Sequence, residues 1–101
     1  MENLNNEIIK IDDKLSVIKL GLQLYNDVID KYNDQNNFHL LSAQEGLYIA
    51  DNYYMQFGPG ISYLTTERVD DNSFTTIDLG LRALSIENIN QKCHTILIKL
   101  S

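Results

Sequence analysis

Leu4 to Tyr32, LNNEIIKIDDKLSVIKLGLQLYNDVIDKY, is the stretch that decides how the first third of this chain is built. Leu4, Ile8, Ile11, Leu15, Ile18, Leu22, Tyr25, Ile29 and Tyr32 recur at alternating intervals of four and three. That spacing is a heptad seam, the pattern a helix shows when one side of it is wound against a partner. It predicts one amphipathic helix over residues 3–34, roughly 45 Å long at about 1.5 Å per residue, with Asn33, Asn36 and Asn37 as its polar stop.

Val17, Leu20, Leu24 and Val28 form a second apolar stripe in the later half of that segment. One face can then cover the rest of the chain while the seam meets another helix. No second long helix is expected, so Ile8, Ile11, Leu15, Ile18, Leu22, Tyr25 and Ile29 are expected to form the interface of a homodimeric coiled coil. The alternative is a monomer in which both stripes wrap onto one sheet. A parallel pair would set Glu7 against Asp12 and Lys14 against Lys19, so an antiparallel or splayed pairing, crossing near Gly21, is the expected arrangement.

From Leu47 onward the apolar period shortens to two. Leu47–Ala50 and Tyr53–Phe57 read as strands around an Asp51-Asn52 turn, although Ser42-Ala43-Gln44-Glu45 also fits a capping box opening a helix through Tyr54. Gly58-Pro59-Gly60 breaks the chain, Ile61–Val69 and Phe74–Leu84 read as a hairpin across Asp70-Asp71-Asn72-Ser73, and Ser85 can cap a short helix to Gln91. His94, Ile96, Ile98 and Leu100 then line one side of a terminal strand. The expected fold is a single α+β domain over residues 1–101: the long helix packed on a meander of about five antiparallel strands within residues 46–101, with a short helix before the last strand.

Net charge is −6 with 8 Lys and Arg in 101 residues, a balance that argues against direct nucleic-acid binding, because affinity for phosphates comes mainly from cationic side chains. The single Cys93 permits no internal disulfide, and the first residues lack the charged-then-apolar pattern of a secretory signal, so a cytoplasmic setting is expected. Apolar runs such as Ile96–Ile98 are too short to span a membrane. Abundant Asn, Ile, Lys and Tyr suggest AT-rich coding, as in low-GC bacteria and their phages.

Chemistry-bearing patterns are weak. Cys93 and His94 are neighbours whose side chains diverge on a strand, and His39 is remote, so no metal site is expected. Gly58-Pro59-Gly60 lacks the lysine of a phosphate loop, and no serine or cysteine carries the setting of a nucleophile. No cofactor or catalytic residue is assigned. The enrichment that remains is Tyr48, Tyr53, Tyr54 and Tyr63, followed by Glu67, Asp70 and Asp71, a combination suited to contacting a basic protein. The expected function is that of a non-enzymatic acidic interaction or inhibitor protein, homodimeric and phage- or mobile-element-encoded, blocking a basic surface of a bacterial nucleic-acid enzyme or toxin. The alternative is a domain sequestering a nucleotide-like small molecule between aromatics and Arg68 or Arg82.

Overall fold

The computed structural model describes residues 8–32 and 38–100. Where the heptad spacing predicts a helix, the chain forms β1 (Ile8–Lys10) and β2 (Leu15–Gln23), an antiparallel pair with Ile9 opposite Val17. Asp12 makes the reversal between them, its Oδ1 accepting the amides of Lys14 at 2.7 Å and Leu15 at 2.9 Å. A short carboxylate that satisfies backbone donors two and three residues on stabilises a turn in competition with a helix. Gly21 has φ +77° and lies where the register of β2 shifts, so it serves a bulge and not a helix crossing.

The other elements follow in chain order: α1 (Tyr25–Val28), β3 (His39–Leu40), α2 (Ala43–Phe57), β4 (Ser62–Asp70), β5 (Ser73–Asp78), β6 (Ala83–Asn88) and β7 (Cys93–Leu100). The described residues are therefore sheet-rich, with seven strands in one sheet and helices of 4 and 15 residues. This overturns the long N-terminal helix, the coiled coil and the long-helix α+β architecture, and nothing in the structure supports the phage-inhibitor part of that picture. Leu4, Asn33, Asn36 and Asn37 lie outside the described residues.

The sheet order is β1-β2-β7-β4-β5-β6, with β3 also pairing β7. The terminal strand is thus inserted between early and middle strands instead of closing a meander. It runs antiparallel to β2 from Leu15↔Leu100 to Gln23↔Cys93 and parallel to β4 at Tyr63↔His94. The hairpin of β4 and β5 forms as expected, but β5 ends at Asp78, and Ala83–Asn88 is strand β6, where the end of the long strand Phe74–Leu84 and the start of a short helix capped by Ser85 were expected.

The capping-box alternative holds for α2. Ser42 Oγ accepts the Glu45 amide at 3.1 Å and Glu45 Oε1 accepts the Ser42 amide at 3.0 Å, so two otherwise unpaired donors start a helix where two strands were expected. Gly46 does not break it: a Cβ there would stand 2.9 Å from Ile77 Cγ2, so the absence of a side chain lets α2 ride close over β5. The Asp51-Asn52 signal survives only as a kink at Tyr53, with φ −135° and ψ 21°.

Both faces of the sheet are covered. Beneath α2 lie Leu15, Val17, Ile77, Ile96 and Ile98 with Ile49 and Tyr53, while Ile18, Leu64, Phe74 and Leu97 pack with Tyr25 and Val28 of α1 on the other side. Burial of this kind is the main favourable contribution to folding.

One polar link joins the β1–β2 turn to α2. The Tyr53 hydroxyl donates to Asp12 Oδ2 at 2.8 Å. The Lys14 amide and this phenol hold the Asp12 carboxyl below its usual range, and the same bond, with burial added, pushes the Tyr53 phenol up to about 12. A depressed carboxyl contributes stability that is present above its unfolded pKa and lost as pH falls through the folded one, whereas a raised phenol contributes stability present below pH 10 and lost as pH rises toward about 12. Denaturant unfolding at acid, neutral and alkaline pH should show both losses. Tyr53→Phe should reduce the alkaline loss, leaving the part that the raised phenols of Tyr25 and Tyr63 and the Cys93 thiol contribute, and shrink the acid one; an unchanged alkaline profile would contradict the bond.

Candidate functional site

Residues 38–45 connect β7's flank to α2 and form one wall of an open cleft of about 610 Å³. Ile29, Asp30, His39, Leu40, Ser42, Glu45 and Thr66 line it. His39 enters from the short strand β3, whose register on β7 places it opposite Ile98. Thr66 comes from β4, where its amide donates to the Leu41 carbonyl at 2.9 Å and closes the gap between β3 and β4.

His39 Nε2 lies 2.6 Å from Glu45 Oε2, with both side chains about a third exposed. Glu45 therefore divides its carboxylate between the imidazole and the Ser42 amide, while Ser42 Oγ is occupied by the Glu45 amide. A serine–histidine–carboxylate relay needs the serine on the imidazole nitrogen that the carboxylate does not hold. Ser42 instead caps α2, and the carboxylate tethers β3 to the head of the helix.

The cleft wall is acidic. The Tyr25 hydroxyl, 3.4 Å from the Thr66 carbonyl, has its pKa raised by burial; the charges of Glu67 and Asp30 act in the same direction and Arg68 opposes them. The charges of Asp30 and Glu67 thus both act on the Tyr25 hydroxyl, and Asp30 shares the cleft lining with Glu45. The Arg68 guanidinium lies over the Tyr25 ring, 5.7 Å from its centroid, and donates to the Asp70 and Asp71 carbonyls at 3.1 and 3.0 Å. Arg82 is paired with Asp51 of α2.

The tyrosine and acidic residues singled out from the sequence do not gather in one place. Tyr48 and Tyr54 are exposed on α2, and Tyr48 flanks a second groove with Lys14, Gln44, Glu45 and Leu100. Tyr53 is turned inward to Asp12, and Tyr63 is buried between Phe57 and His94, its phenol raised by burial and by Asp78. Glu67 follows the cleft residue Thr66 on β4, and its charge acts on the Tyr25 hydroxyl. Asp70 and Asp71 stand at the β4–β5 turn, where Asp70 Oδ1 accepts from the Asn72 amide and the Ser73 hydroxyl at 2.8 Å each.

Of the residues assigned to the helical seam, Leu15, Ile18 and Tyr25 are buried in the chain's own cores, Ile11 and Ile29 pack at their margins, and Ile8 and Leu22 are exposed. Cys93 is buried, its thiol donating to the Gln91 carbonyl at 3.8 Å, and burial, with the Glu87 charge, pushes its pKa up, away from the reactive thiolate. Among the described residues, no three His, Cys, Asp or Glu side chains converge as metal ligands would, and no helix is long and apolar enough to cross a membrane.

Sequence reasoning missed Asp30, Ser42 and Thr66, and weighed His39 only as a metal ligand. The capping-box spacing was the one available signal, since it sets Ser42 and Glu45 together at a helix start. The chain matches no protein-family model, and no curated protein resembles it in sequence.

Proposed function

We propose that this is a non-enzymatic, cytoplasmic interaction protein whose acidic cleft at the head of α2 receives a lysine or arginine side chain of a basic protein partner. The observation that carries this reading is the pair of carboxylates, Asp30 and Glu45, in the cleft lining, with Glu67 next in sequence to the lining residue Thr66. Leu40 and Ile29 supply apolar wall for the stem of a long cationic side chain, and the carboxylates meet its head. A net charge of −6 adds long-range steering toward a basic surface.

Fluorescence anisotropy with a labelled lysine- and arginine-rich peptide tests it. Asp30→Asn combined with Glu67→Gln should weaken binding at low salt by about tenfold, near 1.4 kcal/mol, and by less at high salt, where exposed charges are screened. Asp13→Asn combined with Asp71→Asn, which removes the same two charges from exposed carboxylates on the β1–β2 and β4–β5 turns, should leave the affinity close to that of the parent chain. Equal losses from the two changes would make the effect one of net charge alone and would overturn the cleft as the site.

A further inference from the structure

Among the described residues β6 ends one side of the sheet, and Glu87 is its one charged side chain. It has no proline, lysine or bulge, and its register with β5 is unbroken from Ser73↔Asn88 to Asp78↔Ala83. Leu84 and Ile86 are 50% and 63% exposed. They lie opposite Ile77 and Thr75 of β5, so both stand on the sheet face that α2 covers, and with Thr75 and Ser85 they line a shallow groove. The other edge strand, β1, has three residues and includes Lys10.

The backbone of β6 has a definite polarity across its width. Ile89 donates its amide to the Asn72 carbonyl at 2.7 Å, toward β5. Successive residues of a strand point their N–H and C=O groups to opposite sides. The groups of Ser85 and Glu87 are therefore directed to β5, and those of Leu84, Ile86 and Asn88 point away from the sheet.

We propose that β6 pairs antiparallel with β6 of a second copy about a two-fold axis through Ser85. In that register Leu84 faces Ile86 of the second copy and Ile86 faces its Leu84. Each of these residues has outward backbone groups, so both pairs can exchange two hydrogen bonds. Residues opposite one another in a sheet share a face, so the four apolar side chains meet on the α2 side. The two-fold sets apolar side chains opposite apolar side chains, because Leu84 and Ile86 flank Ser85 symmetrically. Charge does not oppose it either: Glu87, the ionisable side chain of β6, would face Ala83 of the second copy. The two Glu87 side chains would be offset by four residues, roughly 13 Å at about 3.3 Å per residue, which exceeds a screening length of about 8 Å.

The edge is six residues long, and pairing over that length buries less than the roughly 800 Å² per partner of a standard stable interface. The dimer is accordingly weak and exchanges with monomer. Its surface is separate from the acidic cleft, so it stands or falls independently of the basic-partner reading.

Sedimentation velocity and amide hydrogen exchange, each from low micromolar to millimolar protein, test the pairing. The expected result is a dimer fraction that rises with concentration, with the Leu84 and Ile86 amides slowing in parallel while the Ser85 and Glu87 amides are protected throughout. Ile86→Pro removes an outward donor that β5 does not use, and Ile86→Lys places charge in the apolar cluster; each should weaken dimerisation tenfold or more while the remaining amides keep their protection. A wild type monomeric at millimolar concentration overturns the proposal. So does a dimer that survives Ile86→Lys, or one in which the Leu84 and Ile86 amides exchange freely.

Discussion

Gly80→Ala is expected to lower the unfolding free energy by about 3 kcal/mol, at the upper end of what overpacking usually costs. A Cβ at Gly80 would stand 2.0 Å from the Gly58 carbonyl oxygen and 2.5 Å from the Pro59 nitrogen, and both obstacles are backbone. Gly80 has no positive φ, so space and not conformation demands glycine there. The two loops are also fastened by Asp78, which is 7% exposed and whose carboxylate accepts the amides of Gly60 at 2.8 Å, Gly80 at 3.0 Å and Leu81 at 3.1 Å. Separating the backbones to admit a methyl group would stretch these bonds as well.

Gly46→Ala is the internal control. Its Cβ would meet Ile77 Cγ2 and Cδ1 at 2.9 and 3.0 Å and Leu41 Cδ2 at 3.6 Å, side-chain atoms and not backbone, so the strain is smaller than at Gly80, and replacing a mid-helix glycine returns up to about 1 kcal/mol of helix propensity against it. Urea unfolding followed by circular dichroism should separate the two variants clearly. Comparable midpoints would mean that the 58–60 and 78–81 loops do not touch as described.

Phe74→Ala is expected to cost about 3–5 kcal/mol, the range for truncating a buried phenylalanine. Phe74 is 0% exposed and stacks on Tyr25 with ring centroids 4.8 Å apart, joining α1 to the sheet beside Ile18, Leu64 and Leu97. A domain of this size is typically stable by about 5–15 kcal/mol, so the variant should be close to unfolding at physiological temperature. Tyr25→Phe should cost far less, because the ring remains and only a 3.4 Å hydrogen bond to Thr66 is lost. A Phe74→Ala variant within about 1 kcal/mol of the parent would contradict a second core on the α1 face.

The contrast between the two ends of the chain explains what the sequence disclosed. The β4–β5 hairpin was legible because polar Asp70-Asp71-Asn72-Ser73 separates two alternating runs, and Asp70 does organise that turn. β2 was not legible as a strand. Leu15 and Val17 enter one core and Ile18 the other, and a strand covered on both faces loses the alternation that distinguishes it from a helix. Its apolar positions happened to fit a four-three spacing across β1, a turn, β2 and α1. The discriminating signs were Asp12-Asp13 in the middle of the supposed helix, the β-branched Ile8, Ile9, Ile11, Val17 and Ile18, and Gly21.

For α2 the local capping chemistry was right, and the strand reading gave too much weight to Asp51-Asn52, which a kink at Tyr53 accommodates. The cleft was hidden for a different reason. Asp30, His39, Glu45 and Thr66 come from four separate parts of the chain, and the insertion of β7 between β2 and β4 is a long-range pairing that no local pattern encodes. The β6 edge was hidden because Leu84 and Ile86 were divided between an overlong strand and a short helix.

A residue-resolved titration of the ¹⁵N-labelled protein with the basic peptide tests recognition by the acidic cleft most directly. Saturable amide shifts should concentrate at Asp30, His39, Leu40, Glu45 and Thr66, fade with rising salt, and be absent with an acidic peptide of equal length. Shifts confined to the exposed Tyr48 and Tyr54 side of α2 or to the Asp70-Asp71 turn, or no saturable shifts at low salt, would contradict it.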